Sequence, residues 1–161
     1  MRKPLKIISI LILWFFILPS LLYAFEGKVV GISDGDTIKA IKNGRMVKIR
    51  LAAIDCPEKG QPYGQKAKRF TSDLVAGKVV VVREIGTDKY GRIIGFVIIG
   101  DKNLNKKLLS AGLAWHYKRY SHDPELAKIE SEARSSKIGL WSEPNPIPPW
   151  QWRRQKRSKK Y

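Results

Sequence analysis

The stretch "GKVVGISDGDTIKAIKNGRMVKIRLAAID", residues 27–55, decides the fold. Its β-branched runs at 28–32, 37–41 and 46–54 are interrupted by the turn "SDGD" and by Asn43-Gly44. That dipeptide suits a two-residue hairpin because both positions tolerate positive φ. Three consecutive strands are expected. Beyond them, residues 63–75 place Ala67, Phe70 and Leu74 on one helical face, with Gly77 where a left-handed residue ends a helix. The runs "KVVVVRE" (78–84) and "RIIGFVII" (92–99), joined by "IGTDKYG", are strands four and five. A helix over 103–111 turns Leu104, Leu108 and Ala111 inward. Another starts with Asp123 as N-cap and Pro124 as first helical residue, buries Leu126, Ile129 and Ala133, and stops near Gly139. Leu140 and Trp141 then fold back onto the core.

Three strands, a helix and two strands are the order of a five-stranded Greek-key barrel of the OB type. The expectation is an α+β domain over 25–143 with three α-helices, a fold that commonly binds oligonucleotides. Composition agrees with a globular chain: of 161 residues, 43% are hydrophobic and 28% charged. The formal charge is +17, which calls for a polyanionic partner, nucleic acid first and an anionic membrane surface second.

The opening 24 residues have a basic start (Arg2, Lys3, Lys6), an apolar run from Ile7 to Leu18, then Pro19, Ser20 and Ala24. They read as a secretory signal cleaved after Ala24, with an uncleaved membrane anchor as the alternative; either places the domain outside the cytoplasm, secreted or periplasmic. Cys56 is the single cysteine, so no internal disulfide forms and stability must come from packing. The tail, 144–161, is Pro-rich and then basic, and is expected to be extended and disordered, either as a supplementary polyanion contact or as a solubilising segment.

Carboxylates in so basic a chain need a reason. Asp36 opens strand two and Asp55 closes strand three; in a small barrel these ends can converge. Two carboxylates facing one another resist ionisation unless a cation lies between them, and hard oxygen donors select Ca²⁺ or Mg²⁺. Asp36 and Asp55 are the candidate metal pair, against the plainer reading of "DGDT" as a turn. Val47, Ile49 and Leu51 alternate toward the core, which turns Arg50 to the other face, and Arg92 stands at the mouth of strand five. Two guanidiniums beside a metal suit a phosphodiester whose nonbridging oxygens gain charge during attack; two solvated surface arginines are the alternative. Glu58, presented by the stiff loop after Pro57, is the candidate general base or else an exposed loop residue. Parity sets a condition: along a straight strand Arg50 and Asp55 point to opposite faces, about 17 Å apart at 3.4 Å per residue. They meet only if "LAAI" bends.

Taken together, "DGDT", "IRLAAIDCPE" and "TDKYGR" resemble the thermonuclease, or staphylococcal nuclease, family, over about residues 28–141 and including the closing "GLW". The resemblance implies a calcium-dependent phosphodiesterase acting on DNA and RNA and leaving 3′-phosphate ends. It implies calcium held by Asp36, Asp55 and the backbone carbonyl of Cys56, with Glu58 as base and Arg50 and Arg92 clamping the phosphate. Lys89 and Tyr90 would hold a neighbouring phosphate. Tyr117 and Tyr120 both stand as candidates for packing on a base, because "LAWHYKRY" departs from the family pattern. Cys56 also departs, standing where the family often has Thr; a buried inert thiol is the favoured reading over thiolate chemistry. No obligate protein partner is called for, and a monomer is expected. A noncatalytic OB-type nucleic-acid binder is the rival from another class, but it has no use for Asp36, Asp55 and Glu58. His116 and His122 lack partners at structural-zinc spacing, and the tryptophans read as packing groups.

Overall fold

The computed structural model describes residues 24–158. The expected signal lies in residues 1–23, outside the described residues, apart from Ala24. Long strands β1 (Ala24–Asp34), β2 (Thr37–Lys42) and β3 (Arg45–Leu51) form an antiparallel meander, and β5 (Val79–Thr87) and β6 (Ile93–Ile99) form a second antiparallel pair. β1 pairs with β5, and β3 pairs with β6 in parallel (Ile49 with Ile93, Arg50 with Ile94), so five strands close into a barrel. Closure leaves no long free edge. Short β4 (Ile54–Asp55) and β8 (Trp115–His116) pair beside it, and β7 (Lys102–Asn103) extends β6.

Alternation fills the barrel. Val29, Ile38, Ala40, Ile49, Leu51, Val80, Val82 and Val97 point inward and are essentially inaccessible. Each buried Val, Ile or Leu side chain contributes roughly 1.5–3 kcal/mol by leaving water. The hairpin from β2 to β3 turns on Asn43 (φ 49°) and Gly44 (φ 75°), as the dipeptide requires.

Helix α1 (Gly64–Val75) closes one end of the barrel with Ala67, Thr71 and Val75, and α2 (Leu104–Ser110) packs Leu104, Leu108 and Leu109 on the core. Helix α3 (Pro124–Ser135) is capped by Asp123, whose carboxylate accepts from the Glu125 amide at 2.8 Å. It ends at Ser135 rather than near Gly139; Gly139–Ser142 instead forms a 3₁₀ turn that returns Leu140 and Trp141 to the interior.

The helix count also differs. Among the described residues there are four α-helices, because Pro149–Ser158, expected to be extended, forms helix α4. Pro149 fits a first turn, where its missing N–H costs nothing. What holds the helix is tertiary: Trp150 lies edge-on to Trp115 at 5.6 Å between ring centroids and parallel to Tyr117 at 5.2 Å. Trp115 in turn meets Trp141 at 4.4 Å. The folded part of the chain therefore runs past residue 143.

Candidate active site

The site is built at the end of β3. That strand stops at Leu51, Ala53 adopts φ 62°, and the chain resumes as β4 at Ile54. This is the bend that parity demands, and it brings Arg50 Nη2 to 2.7 Å from Asp55 Oδ1. Three hydrogen bonds hold the bend: the Ala52 amide donates to the Gly95 carbonyl (2.8 Å), Asn105 Nδ2 donates to the Ala52 carbonyl (2.8 Å), and the Tyr117 amide donates to the Ala53 carbonyl (2.8 Å). Asn105 is completely buried and also accepts from the Val97 amide at 3.1 Å. Sequence reasoning missed it; an asparagine within a helix otherwise facing the core is the signal that could have found it, since a buried amide needs partners.

Asp36 reaches the same point from the turn before β2. Its amide donates to Asp34 Oδ1 (3.2 Å), and its Oδ2 accepts from the Cys56 amide at 2.6 Å. Arg50 Nη1 forms an ion pair with that same Oδ2 at 2.5 Å. One guanidinium thus spans both carboxylates. Gly35 permits the crowding: a Cβ there would stand 2.7 Å from Ala67 Cβ and 3.0 Å from Cys56 Cβ and Sγ.

Glu58 hangs from the loop after Pro57, fixed by a reciprocal pair with Gln61: the Glu58 amide donates to Gln61 Oε1, and the Gln61 amide donates to the Glu58 carbonyl, both at 2.9 Å. Helix α1 begins against this loop, and only glycine fits at 64, where a Cβ would fall 2.1 Å from the Glu58 carbonyl oxygen. The Glu58 side chain is 37% exposed and points where a tail residue meets it. Arg153 of α4 contacts Glu58 Oε1 at 2.6 Å and Asp55 Oδ2 at 2.8 Å. Sequence reasoning counted Arg153 only among the basic tail residues and did not place it at the site.

Burial dominates the electrostatics. It pushes Asp36 up to about 6, against the pull of Arg50, with Asp34 adding to the rise. Asp55 is raised by burial as well, opposed by Arg153 and Arg50. For Arg50, burial works against the charge, but Asp36 and Asp55 more than compensate and raise it. Burial pushes the Cys56 thiol well up, with Asp36 reinforcing it, which fits an inert side chain. The Cys56 side chain packs in the core while its amide serves Asp36.

The remaining candidates make no hydrogen bond or ion pair with the site carboxylates among the described residues. Arg92, adjacent to Ile93 at the start of β6, forms an ion pair with Asp88 (Nε to Oδ2, 2.7 Å) and none with Asp36, Asp55 or Glu58. Asp88 gathers the turn: it accepts from the Tyr90 and Arg92 amides as well, and although desolvation raises its carboxyl, the bonds from Arg92 and Tyr90 and the Arg92 charge together hold it below the usual range. Lys89 and Arg92 lie over the Tyr90 ring, at 5.1 and 5.7 Å from its centroid, and Tyr90 is 72% exposed. Tyr117 sits beside the bend, edge-on to the exposed Tyr120 at 4.9 Å. His116 donates or accepts through Nε2 with Ser121 and belongs to no metal cluster. Among the described residues no group of three or more His, Cys, Asp and Glu side chains could hold an ion. Any cation here rests on two carboxylates plus backbone and water.

Comparison with known proteins identifies the family. The family described as Staphylococcal nuclease homologue matches residues 48–143, from within β3 to just past the 3₁₀ turn. An Escherichia coli protein described as an uncharacterized endonuclease is 45% identical over 157 residues, covering 97% of this chain and 100% of its own length. A micrococcal nuclease of Shigella flexneri is 40% identical over 141 residues, 81% of each chain. A staphylococcal-like nuclease of Arabidopsis thaliana is 44% identical over 110 residues, 68% of this chain and 34% of that protein. The closed barrel, the bent third strand and these similarities place the chain in the staphylococcal nuclease family.

Proposed function

We propose that this protein is an exported nuclease that hydrolyses phosphodiester bonds of DNA and RNA with calcium and leaves 3′-phosphate ends. Relatives named as nucleases support hydrolysis of nucleic acid as the activity. The observation that carries the reading to this site is the Arg50 guanidinium spanning Asp36 and Asp55, because side chains that one cation bridges are within reach of another.

The donor set fits calcium: Asp36, Asp55 and the Cys56 carbonyl would hold it, all hard oxygens. When bound, such an ion would supply Lewis-acid polarisation of a phosphoryl oxygen and offset its charge. With only two carboxylates, most of its roughly 6–8 positions fall to water and substrate, so affinity is weak, on the order of 10⁻⁴ to 10⁻³ M. Glu58 accepts the proton of the attacking water as the new P–O bond forms and the bond to the 5′-oxygen breaks. Arg50 would exchange part of its contact with the aspartates for the nonbridging oxygen where charge grows, and Arg92 supplies the second guanidinium by exchanging Asp88 for phosphate. Lys89 and Tyr90 take a neighbouring phosphate, and Tyr117 and Tyr120 offer rings to a base. The signal in the first 24 residues directs the enzyme out of the cytoplasm.

Plasmid digestion with calcium, with chelator, and by Glu58→Gln tests this. Cleavage should need calcium and fall steeply in the variant. Cleavage indifferent to both treatments overturns the mechanism; binding without cleavage in calcium makes the protein a noncatalytic binder.

A further inference from the structure

Helix α4 lays two side chains on the site, three residues apart and so on one helical face. Arg153 holds Asp55 through both Nη atoms (2.8 Å to Oδ2, 3.2 Å to Oδ1) and Glu58 Oε1 through Nη1 (2.6 Å). Arg50 Nη2 is also on Asp55 Oδ1, so guanidiniums engage both oxygens of Asp55. Trp150 stacks on Tyr117 with an interplanar angle of 0°, covering a face that a base would need. The segment leading to α4 is tied to the Glu58 loop, since the buried Gln61 donates Nε2 to the Ile147 carbonyl at 2.7 Å.

We propose that α4 is an internal strap: Arg153 occupies the carboxylate oxygens a divalent cation needs, Trp150 occupies the Tyr117 face, and cation and nucleic acid bind by displacing both. The inference rests on the reading of Asp55 as a cation ligand and Glu58 as the base. Charge favours the exchange. Asp36, Asp55 and Glu58 bring three negative charges, and Arg50 with Arg153 offsets two; a divalent ion in place of Arg153 offsets the third and readies the site for a phosphodiester. Exchange can begin at the Glu58 contact, where both side chains are about a third exposed (35% and 37%) and solvent weakens the pair; the contact to buried Asp55 opens only as the cation replaces it. Once free, Pro149–Ser158 carries Arg153, Arg154, Lys156 and Arg157 with no acid, and the polyanion that displaces it also attracts it. A role for Arg153 in positioning Glu58 predicts the reverse coupling, in which cation and docked helix favour one another.

Calorimetric titration of the whole protein with calcium separates these. Arg153→Gln and Trp150→Ala should each tighten the apparent Kd about tenfold, as expected if the open state is about one molecule in ten. Trp150→Ala leaves every charge in place, and Arg154→Gln removes a charge from an exposed position of the same helix; the latter should stay within about twofold. Reciprocally, saturating calcium should speed amide hydrogen exchange across 150–158. Unchanged or weaker affinity in both strap variants, equal tightening by Arg153→Gln and Arg154→Gln with none from Trp150→Ala, or slower exchange in α4 with calcium would each overturn the strap. If the wild type binds calcium and cuts, such a result removes the strap alone; if wild type and variants all fail to bind calcium, the strap falls together with the calcium reading.

Discussion

Replacing Gly35 by alanine tests how tightly the turn before Asp36 is wedged against the rest of the site. The added methyl would stand 2.7 Å from Ala67 Cβ on α1 and 3.0 Å from Cys56 Cβ and Sγ, and none of these atoms ends a flexible side chain. The turn cannot simply retreat, because Thr71 Oγ1 donates to the Gly35 carbonyl at 2.5 Å from the same helix. Overpacking of this kind costs about 1–3 kcal/mol. Relief would come from moving the turn away from Cys56, which breaks the 2.6 Å bond from the Cys56 amide to Asp36 and shifts a proposed ligand. Urea unfolding should therefore show a loss of about 1–3 kcal/mol, with calcium affinity and cleavage falling together. Ala67→Gly removes the nearest atom, at about 1 kcal/mol in helix propensity. In a double-mutant cycle it should recover part of the loss, a coupling expected of residues in contact. Full stability and calcium binding in Gly35→Ala would refute the reasoning.

Three further outcomes follow from the same geometry. With chelator present, stability should fall as pH rises from about 4 to about 6, because the folded state keeps a proton on Asp36 that the unfolded chain releases near 3.8; the rise to about 6 amounts to about 3 kcal/mol, present below 3.8 and gone above 6. Asp55, also raised, adds to the trend, and urea unfolding of Asp36→Asn should show a shallower dependence. Asn105→Ala strands the Ala52 carbonyl and the Val97 amide, at about 1–3 kcal/mol each, and should lower activity by loosening the bend that carries Asp55; unchanged urea stability would contradict this. Burial holds the Cys56 thiol protonated, so iodoacetamide should label it in urea and leave it untouched in the folded protein, as mass spectrometry would read.

The barrel was legible because its strands and turns obey local rules: alternation buries Val29, Ile38 and Ile49, and Asn43-Gly44 supplies the positive φ of a tight hairpin. The bend after Leu51 was legible indirectly, since Arg50 and Asp55 could share a function only if the strand broke, and Ala53 breaks it. Helix α4 was not legible. Ten residues make a marginal helix alone, and this one forms where Trp150 finds Tyr117 and Trp115, a tertiary fact that a Pro-rich, basic segment does not announce. Arg153 was hidden for the same reason, lying 98 residues from Asp55 in sequence. Arg92 was identified by its position at the mouth of β6, but sequence could not reveal that its own turn supplies Asp88 as a nearer partner.

The central claim is that one divalent ion is gripped jointly by Asp36 and Asp55 at the broken end of β3. A crystal structure grown with calcium tests it most directly. The account predicts the ion about 2.3–2.6 Å from an oxygen of each carboxylate and from the Cys56 carbonyl. An ion bound to only one of the two aspartates, or elsewhere on the protein, would contradict it.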